Sequence, residues 1–373
     1  MPLISRRNLL KHGLAAGAAL TWSGCATGPM REGPHRGYLA LAPRAKPGRV
    51  TVALTKPKAW LSALEQVVAG TTDLSWLRRG DSVFVKVVSN SGHVHPAVTA
   101  PEAVSALVSL LKAAGAGRVL VGDQSGAEHV RRTPSGRFSS TRERFAQNGL
   151  LAAIERSGAE LYCFDDQPWE SNFQARPDFV SCWDDKLFLP DVLRQIDHVV
   201  VLPRLGAHAI AGYSCAVKAA VGWLRDDSRL ALHRDGDRFY ERIAEINHMP
   251  PLRDKLRLVV TVVDKALVSI GPDIGDTYAF DGCFALASDS LLEHDAVAST
   301  LLGWLREHSG FSFFDLYSPY PEHVNYWNRR FIAQTWGERG ELGYVDLAPP
   351  RGAGRIEDDA MLSHLAMLRR ERV

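Results

Sequence analysis

Residues 207–233, AHAIAGYSCAVKAAVGWLRDDSRLALH, set one lysine between two histidines. Lys218 stands among Ala216, Val217, Ala219, Ala220 and Val221, ten residues after His208 and fifteen before His233. Read as a helix over 214–224, the stretch puts Ser214, Lys218 and Gly222 on one face, with Arg225 at the next turn. Two fates are open to such a lysine. On a solvated face it is an ordinary ammonium. Shielded by its small apolar neighbours, it loses proton affinity, and the neutral amine becomes a nucleophile.

Other groups with chemical capacity fall just after strand-like runs. SNSGHVHPAVT (89–99) supplies Asn90, His93 and His95, and DQSGAEH (123–129) supplies Asp123 and His129. His93 and His95, two apart, face the same side of an extended segment, where they either share a metal or lie in solvent. GYSCA (212–216) approaches the nucleophile elbow G-x-S-x-G, with Ala216 in place of the second glycine. An elbow needs its serine directly after a strand, and Ser214 lies eleven residues past Pro203, so hydrolysis at Ser214 is a minor reading. No G-x-G-x-x-G, P-loop or H-E-x-x-H pattern is present.

Groups far apart in the chain need a scaffold that gathers them. VTVAL (50–54), SVFVKVV (82–88), GRVLVGD (117–123), AELYCFD (159–165), DHVVVLP (197–203) and LRLVVTVVD (256–264) read as strands, most of them buried. Residues 100–116, 141–158 and 291–305 have apolar positions at helical spacing. The alternation predicts an α/β fold with a mostly parallel sheet and helices on both faces. Ligands of such sheets sit outside the carboxyl ends of the strands, where the loops carrying His93, His95, His129 and His208 lie.

The 373 residues carry a formal charge of +2. Arg6, Arg7 and Lys11 contribute three of the positive charges before Cys25, and without them the charge is −1, which gives no basis for a nucleic-acid partner. SRRNLLK (5–11), followed by a short apolar run from Leu14 to Trp22, resembles a twin-arginine export signal. That resemblance implies export as a folded protein by the twin-arginine translocase, a periplasmic location and no transmembrane segment in the mature chain. Ser23-Gly24-Cys25 resembles a lipoprotein box, so Cys25 is open to lipidation or to plain cleavage. The expected organisation is a signal over 1–25, a tether over 26–48, an α/β body over 49–303 and an aromatic-rich extension over 304–373 packed on it. Cys163, Cys182, Cys215 and Cys283 lack the C-x-x-C spacing of iron–sulfur or zinc sites. Cys163 and Cys182 are open to pairing.

Two family resemblances follow from longer runs. VKVVSN…TAPEAVSALVSLLKAAGAGRVLVGD, LPRLGAHAIAGYSCAVKAAVG and VDKALVSIGPDIGD…ALASDSLLEHDAVASTLLG, over roughly residues 50–303, resemble the domain of unknown function 362 family. HAIAGYSCAVKAAVG…LALH is similar to the central segment of the nickel-pincer lactate racemases, which also implies a two-lobed arrangement. That second resemblance implies that Lys218 tethers a pincer nucleotide, His233 ligates nickel and His208 is a proton-transferring base. Around them His129 joins the catalytic set. Ser214, Arg225, Asp123 and Asn90 join the cofactor-binding set, with His95 and His93 as further metal ligands. Lys86, Arg204 or Arg225 would hold the carboxylate of a small anionic substrate. The expected activity is racemisation, epimerisation or hydride transfer on a small hydroxy acid. A non-catalytic protein binding an anion or metal, or serving maturation, is the other reading.

Overall fold

The computed structural model describes residues 49–55, 59–179, 181–184, 186–235, 238–310 and 346–348. The expected signal, tether, Cys25 anchor and most of the C-terminal extension lie outside these residues. Among the described helices none is long and apolar enough to cross a membrane.

The chain enters through β1 (Arg49–Thr55) and α1 (Trp60–Thr71), then β2 (Ser82–Val87), α2 (Pro101–Ala113) and β3 (Arg118–Asp123). A small hairpin, β4 (Arg131–Thr133) and β5 (Gly136–Phe138), leads to α3 (Thr141–Asn148), α4 (Leu150–Ser157) and β6 (Glu160–Cys163). Residues 141–158 therefore form two helices where one was expected. Gly149 sits between them at φ +88°, a left-handed conformation that ends one helix and starts the next. A second hairpin, β7 (Asn172–Gln174) and β8 (Phe188–Pro190), precedes α5 (Val192–Gln195) and β9 (His198–Leu202).

The lysine segment follows. β10 (Gly206–His208) and β11 (Gly212–Ser214) form a hairpin, and α6 (Ala216–Ala219) continues as a 3₁₀ turn over Ala220–Trp223. The single helix expected over 214–224 thus begins two residues later, because Ser214 is committed to a strand pair with Gly206. Then come α7 (Asp226–Arg234), α8 (Phe239–His248), α9 (Pro250–Arg253), β12 (Leu256–Leu267), β13 (Thr277–Ser288), α10 (Leu291–His308) and β14 (Asp346–Ala348).

The central sheet runs β14-β1-β13-β12-β9-β2-β3-β6, with β10 and β11 appended at the end of β12. β12, β9, β2, β3 and β6 are parallel neighbours, and β13 is antiparallel to both β12 and β1. This is the expected α/β fold with a mostly parallel sheet. Strand alternation feeds two cores. Val83, Val85, Val87, Val119 and Val121 pack under α1, α2 and α4, whereas Phe84, Leu120, Val199 and Val201 pack under α6, α8 and α10. At about 1.5–3 kcal/mol for each buried aliphatic side chain, this two-sided burial dominates the stability of the sheet.

β2 leads outward through β3 to β6, and β9 then returns to the other side of β2. The direction of winding reverses between β2 and β9. The crevice outside the carboxyl ends of these two strands is where such a sheet offers a ligand site. All four described cysteines are free thiols, so Cys163 and Cys182 are not paired.

Candidate functional site

Lys86 lies on β2, paired in register with Gly122 on β3 and Val201 on β9. It shares a face with Phe84 and is fully buried, a placement that a charge tolerates only with a counterion. Asp123, at the end of β3, supplies one: its Oδ1 lies 2.7 Å from Lys86 Nζ. Nζ also donates to the Val87 carbonyl at 2.8 Å. The other oxygen of Asp123 accepts the Ser89 backbone N–H at 2.8 Å. Gly222, in the 3₁₀ turn, presses on this pair, and a side chain there would collide with Asp123 Oδ1 and Lys86 Nζ.

Arg229, on α7, ties the same turn to the β3 loop. Its Nη1 donates to the Ser125 carbonyl at 2.5 Å, and its Nη2 donates to the carbonyls of Gln124 at 2.9 Å and Gly222 at 3.1 Å. From the opposite side Asp295, on α10, supports α6. Its Oδ1 accepts the Ala216 N–H at 3.0 Å, and its Oδ2 accepts the Val217 N–H at 2.9 Å and the Tyr213 hydroxyl at 3.1 Å. A remote carboxylate thus satisfies the helix start that Cys215 does not cap. His294 bridges Asp295 and the Thr261 hydroxyl, at 3.0 Å on each side.

Lys218, held between these supports, is only partly accessible. Its amine has neither a hydrogen bond nor an ion pair to any described residue. Burial and the neighbouring Arg204 and Arg229 guanidiniums push its pKa from 10.5 down to about 7. Arg204 follows β9 directly and is 2% exposed. Its Nε and Nη1 are sealed from solvent without a partner, and the whole guanidinium makes no hydrogen bond to a described residue. Burial lowers its pKa to about 10, partly offset by Asp273, so it stays charged at neutral pH.

The two histidines of the lysine segment have complementary tautomers, which their hydrogen bonds assign. Burial and then the neighbouring Lys218 and Arg204 depress the His208 pKa well below its ordinary value, so the ring is neutral. Its Nδ1 accepts the Ile210 and Ala211 backbone N–H groups, each at 3.2 Å. The ring proton therefore sits on Nε2, so the resting His208 presents a donor there. His233, also kept neutral chiefly by burial, faces the Arg229 carbonyl through Nδ1 at 2.8 Å. Nδ1 must carry the proton there. Nε2 keeps its lone pair and can take a proton or a metal.

The other sequence candidates are placed as follows. His129 Nε2 lies 2.8 Å from Asp273 Oδ2, and Asn90 Nδ2 donates to both Asp273 oxygens at 2.9 Å. That contact holds the His129 pKa above its ordinary value. The three join the loops after β2, β3 and β12 at the rim, and Asp273 is electrostatically coupled to Lys218 and Arg204. Arg225 is committed elsewhere, paired with Asp227 at 2.9 and 2.7 Å and stacked on Phe188. Ser214 is buried in the hairpin strand. His93 is exposed, and both nitrogens of His95 are engaged, with Asp264 at 2.7 Å and the Val98 carbonyl at 3.1 Å. The structure does not join His93, His95 and His233 in one metal-ligating group. Among the described residues, Cys215–His294–Asp295 and Glu128–His129–Asp273 are the groups with metal-ligating composition.

Sequence reasoning missed Asp273, Arg229 and Asp295 as parts of the site. Asp295 left a signal, since His294-Asp295 interrupts an otherwise apolar helix face. Asp273 sits in the GPDIG turn, where an acid reads as ordinary turn chemistry.

Residues 83–300, more than half of the chain, match the family model described as Domain of unknown function (DUF362). Among curated proteins, none matches. Among solved structures, the lactate racemase apoprotein from Thermoanaerobacterium thermosaccharolyticum is similar at a TM-score of 0.37 and 14% identity. The match covers 60% of this chain and 51% of that one. A protein from Thermotoga maritima is similar at a TM-score of 0.32 and 14% identity, over 51% of this chain and 47% of that one. The matched part of this chain thus spans about half the length of each solved structure.

Proposed function

The chain belongs to the family of domain of unknown function 362, and on that premise we propose that it is an enzyme acting on a small hydroxy acid. One observation carries this reading: Arg204 and Lys218 lie within electrostatic reach of one another, with no hydrogen-bond acceptor for either among the described residues. Asp273 offsets only part of the cost of burying these cations, and a bound anion would remove more of it.

Arg204 offers the planar fork that suits a carboxylate. His208 Nε2–H donates to the oxygen on C2, and Lys218, half of it neutral at about pH 7, takes the C2 proton. His233 Nε2 is a second acceptor in the same surroundings. Two acceptors and one donor around a carboxylate suit racemisation or epimerisation, and the same arrangement would orient a hydroxy acid for hydride transfer.

The nickel-pincer nucleotide that the racemase resemblance implies is not supported by the donor set. Lys218 and His233 Nε2 are free to anchor it, but the residues expected to hold its nucleotide part are spent within the chain. Asp123 is engaged by Lys86 and Ser89, the Asn90 amide nitrogen by Asp273, and two nitrogens of Arg225 by Asp227.

The test is solvent exchange. Short 2-hydroxy acids incubated with the protein in D₂O gain deuterium at C2 and lose optical purity, and both effects vanish in Arg204→Met. Binding without exchange or inversion would leave the anion-binding protein as the better reading. Absence of both would overturn the proposal. The twin-arginine export and the Cys25 anchor are carried as part of this proposal, and the size of the protein released into the periplasm of its own host tests them.

A further inference from the structure

We propose that Lys218 forms an imine with small 2-oxo acids, their carboxylate seated on Arg204. This narrows the substrate of the proposed site from the hydroxy to the oxo level, and it rests on the anion reading of Arg204.

Imine formation demands four things of a protein, and each has a residue here. First, the amine must be unengaged. Lys86 is locked to Asp123 and Val87, and Lys112 and Lys255 donate to backbone carbonyls, but Lys218 bonds to no described residue. Second, the amine must be shielded yet reachable, and Lys218 is partly accessible within a basic cluster of Arg204, Arg229, His208 and His233. Like charges around a shielded lysine favour its neutral, nucleophilic form. Third, the carbonyl compound must be held, and the unpartnered guanidinium of Arg204 distinguishes an oxo acid from a simple ketone. Fourth, water must leave, which needs an acid at the departing oxygen. His208 carries its proton on Nε2, because Nδ1 accepts two backbone N–H groups.

The step balances without a co-reactant. The Nζ lone pair attacks C2, a carbon–nitrogen bond forms, and one amine proton passes to the carbonyl oxygen. The carbon–oxygen bond then breaks with proton donation from His208, and the remaining amine proton returns to His208. Water leaves with one amine proton and the proton from His208, the second amine proton restores His208, and nothing is oxidised or reduced.

The experiment uses the full-length protein, pyruvate and sodium borohydride, read by intact mass and peptide mapping. Borohydride freezes an imine as a stable secondary amine. The expected result is one adduct per chain at Lys218, with the mass of pyruvic acid less one oxygen. It is absent in Lys218→Arg and reduced about tenfold or more in Arg204→Met, and butanone at the same concentration gives little trapping. Thermal shift with pyruvate, without borohydride, is run beside it. An Arg204-dependent rise in melting temperature with no adduct at Lys218 would overturn the imine and leave the anion site standing. Neither shift nor adduct would remove both. An adduct spread over surface lysines, or one equally strong with butanone, would also sink the imine.

Discussion

Lys218→Met tests the desolvated lysine without needing a substrate. Methionine keeps much of the length of lysine and removes the charge. With its pKa at about 7 in the fold and 10.5 in a solvated chain, the lysine is about half neutral at pH 7, against about one part in 3,000 when unfolded. At roughly 1.4 kcal/mol per pH unit, the protonated amine costs the fold at most about 5 kcal/mol. Solvent contact at this partly accessible residue reduces the figure to about 2–3 kcal/mol. The sign follows from proton binding. Between pH 7 and 10.5 the unfolded chain holds more protons than the folded one, so the wild type gains stability as pH rises through this window. Below pH 7 the cost is fully present, and above 10.5 it is gone. Lys218→Met should therefore melt about 4–12 °C higher than the wild type at pH 6, with the gap closing toward pH 10.5. Melting curves by circular dichroism at fixed ionic strength measure this directly. A constant offset across pH would report only the change in packing. Parallel curves would refute the desolvated lysine and everything built on its amine.

Three further outcomes follow from the supports of the site. Asp123→Asn leaves Lys86 buried without its counterion and should cost about 3–5 kcal/mol by urea unfolding, most of it recovered in a Lys86→Met/Asp123→Leu double variant. Asp295→Asn leaves α6 N–H donors poorly satisfied; a loss of about 1–3 kcal/mol and faster hydrogen exchange at the Ala216 and Val217 amides are expected, and unchanged exchange would deny the support role. The contact of His129 with Asp273 raises the histidine pKa, so its contribution is complete below pH 6.5 and lost as pH rises through the folded value. His129→Gln should flatten that loss in thermal melts taken between pH 5 and 8, and an unchanged slope would place the titration elsewhere.

The local pattern of the chain determined its class. β-branched runs such as DHVVVLP and SVFVKVV can only be strands covered on both faces, and the helical spacing of residues 100–116 provides one of the covers. The same reading placed Asn90, Asp123, His129, Arg204 and His208 near strand ends, because a parallel sheet presents its loops at one rim. It also marked Lys218, since a lysine among small apolar residues is anomalous wherever it lies. Which of these groups is free to act was decided by tertiary structure. Asp123, Asn90 and Arg225 looked as available as Arg204 in the sequence, yet Asp123 and Asn90 meet partners from distant segments, Arg225 pairs locally with Asp227 and stacks on the remote Phe188, and Arg204 hydrogen-bonds to none of the described residues. The donor state of His208 depends on two backbone N–H groups brought round by the β10–β11 turn. Pairing is a property of three-dimensional neighbours, so a one-dimensional pattern can name the candidates but cannot say which have already been neutralised.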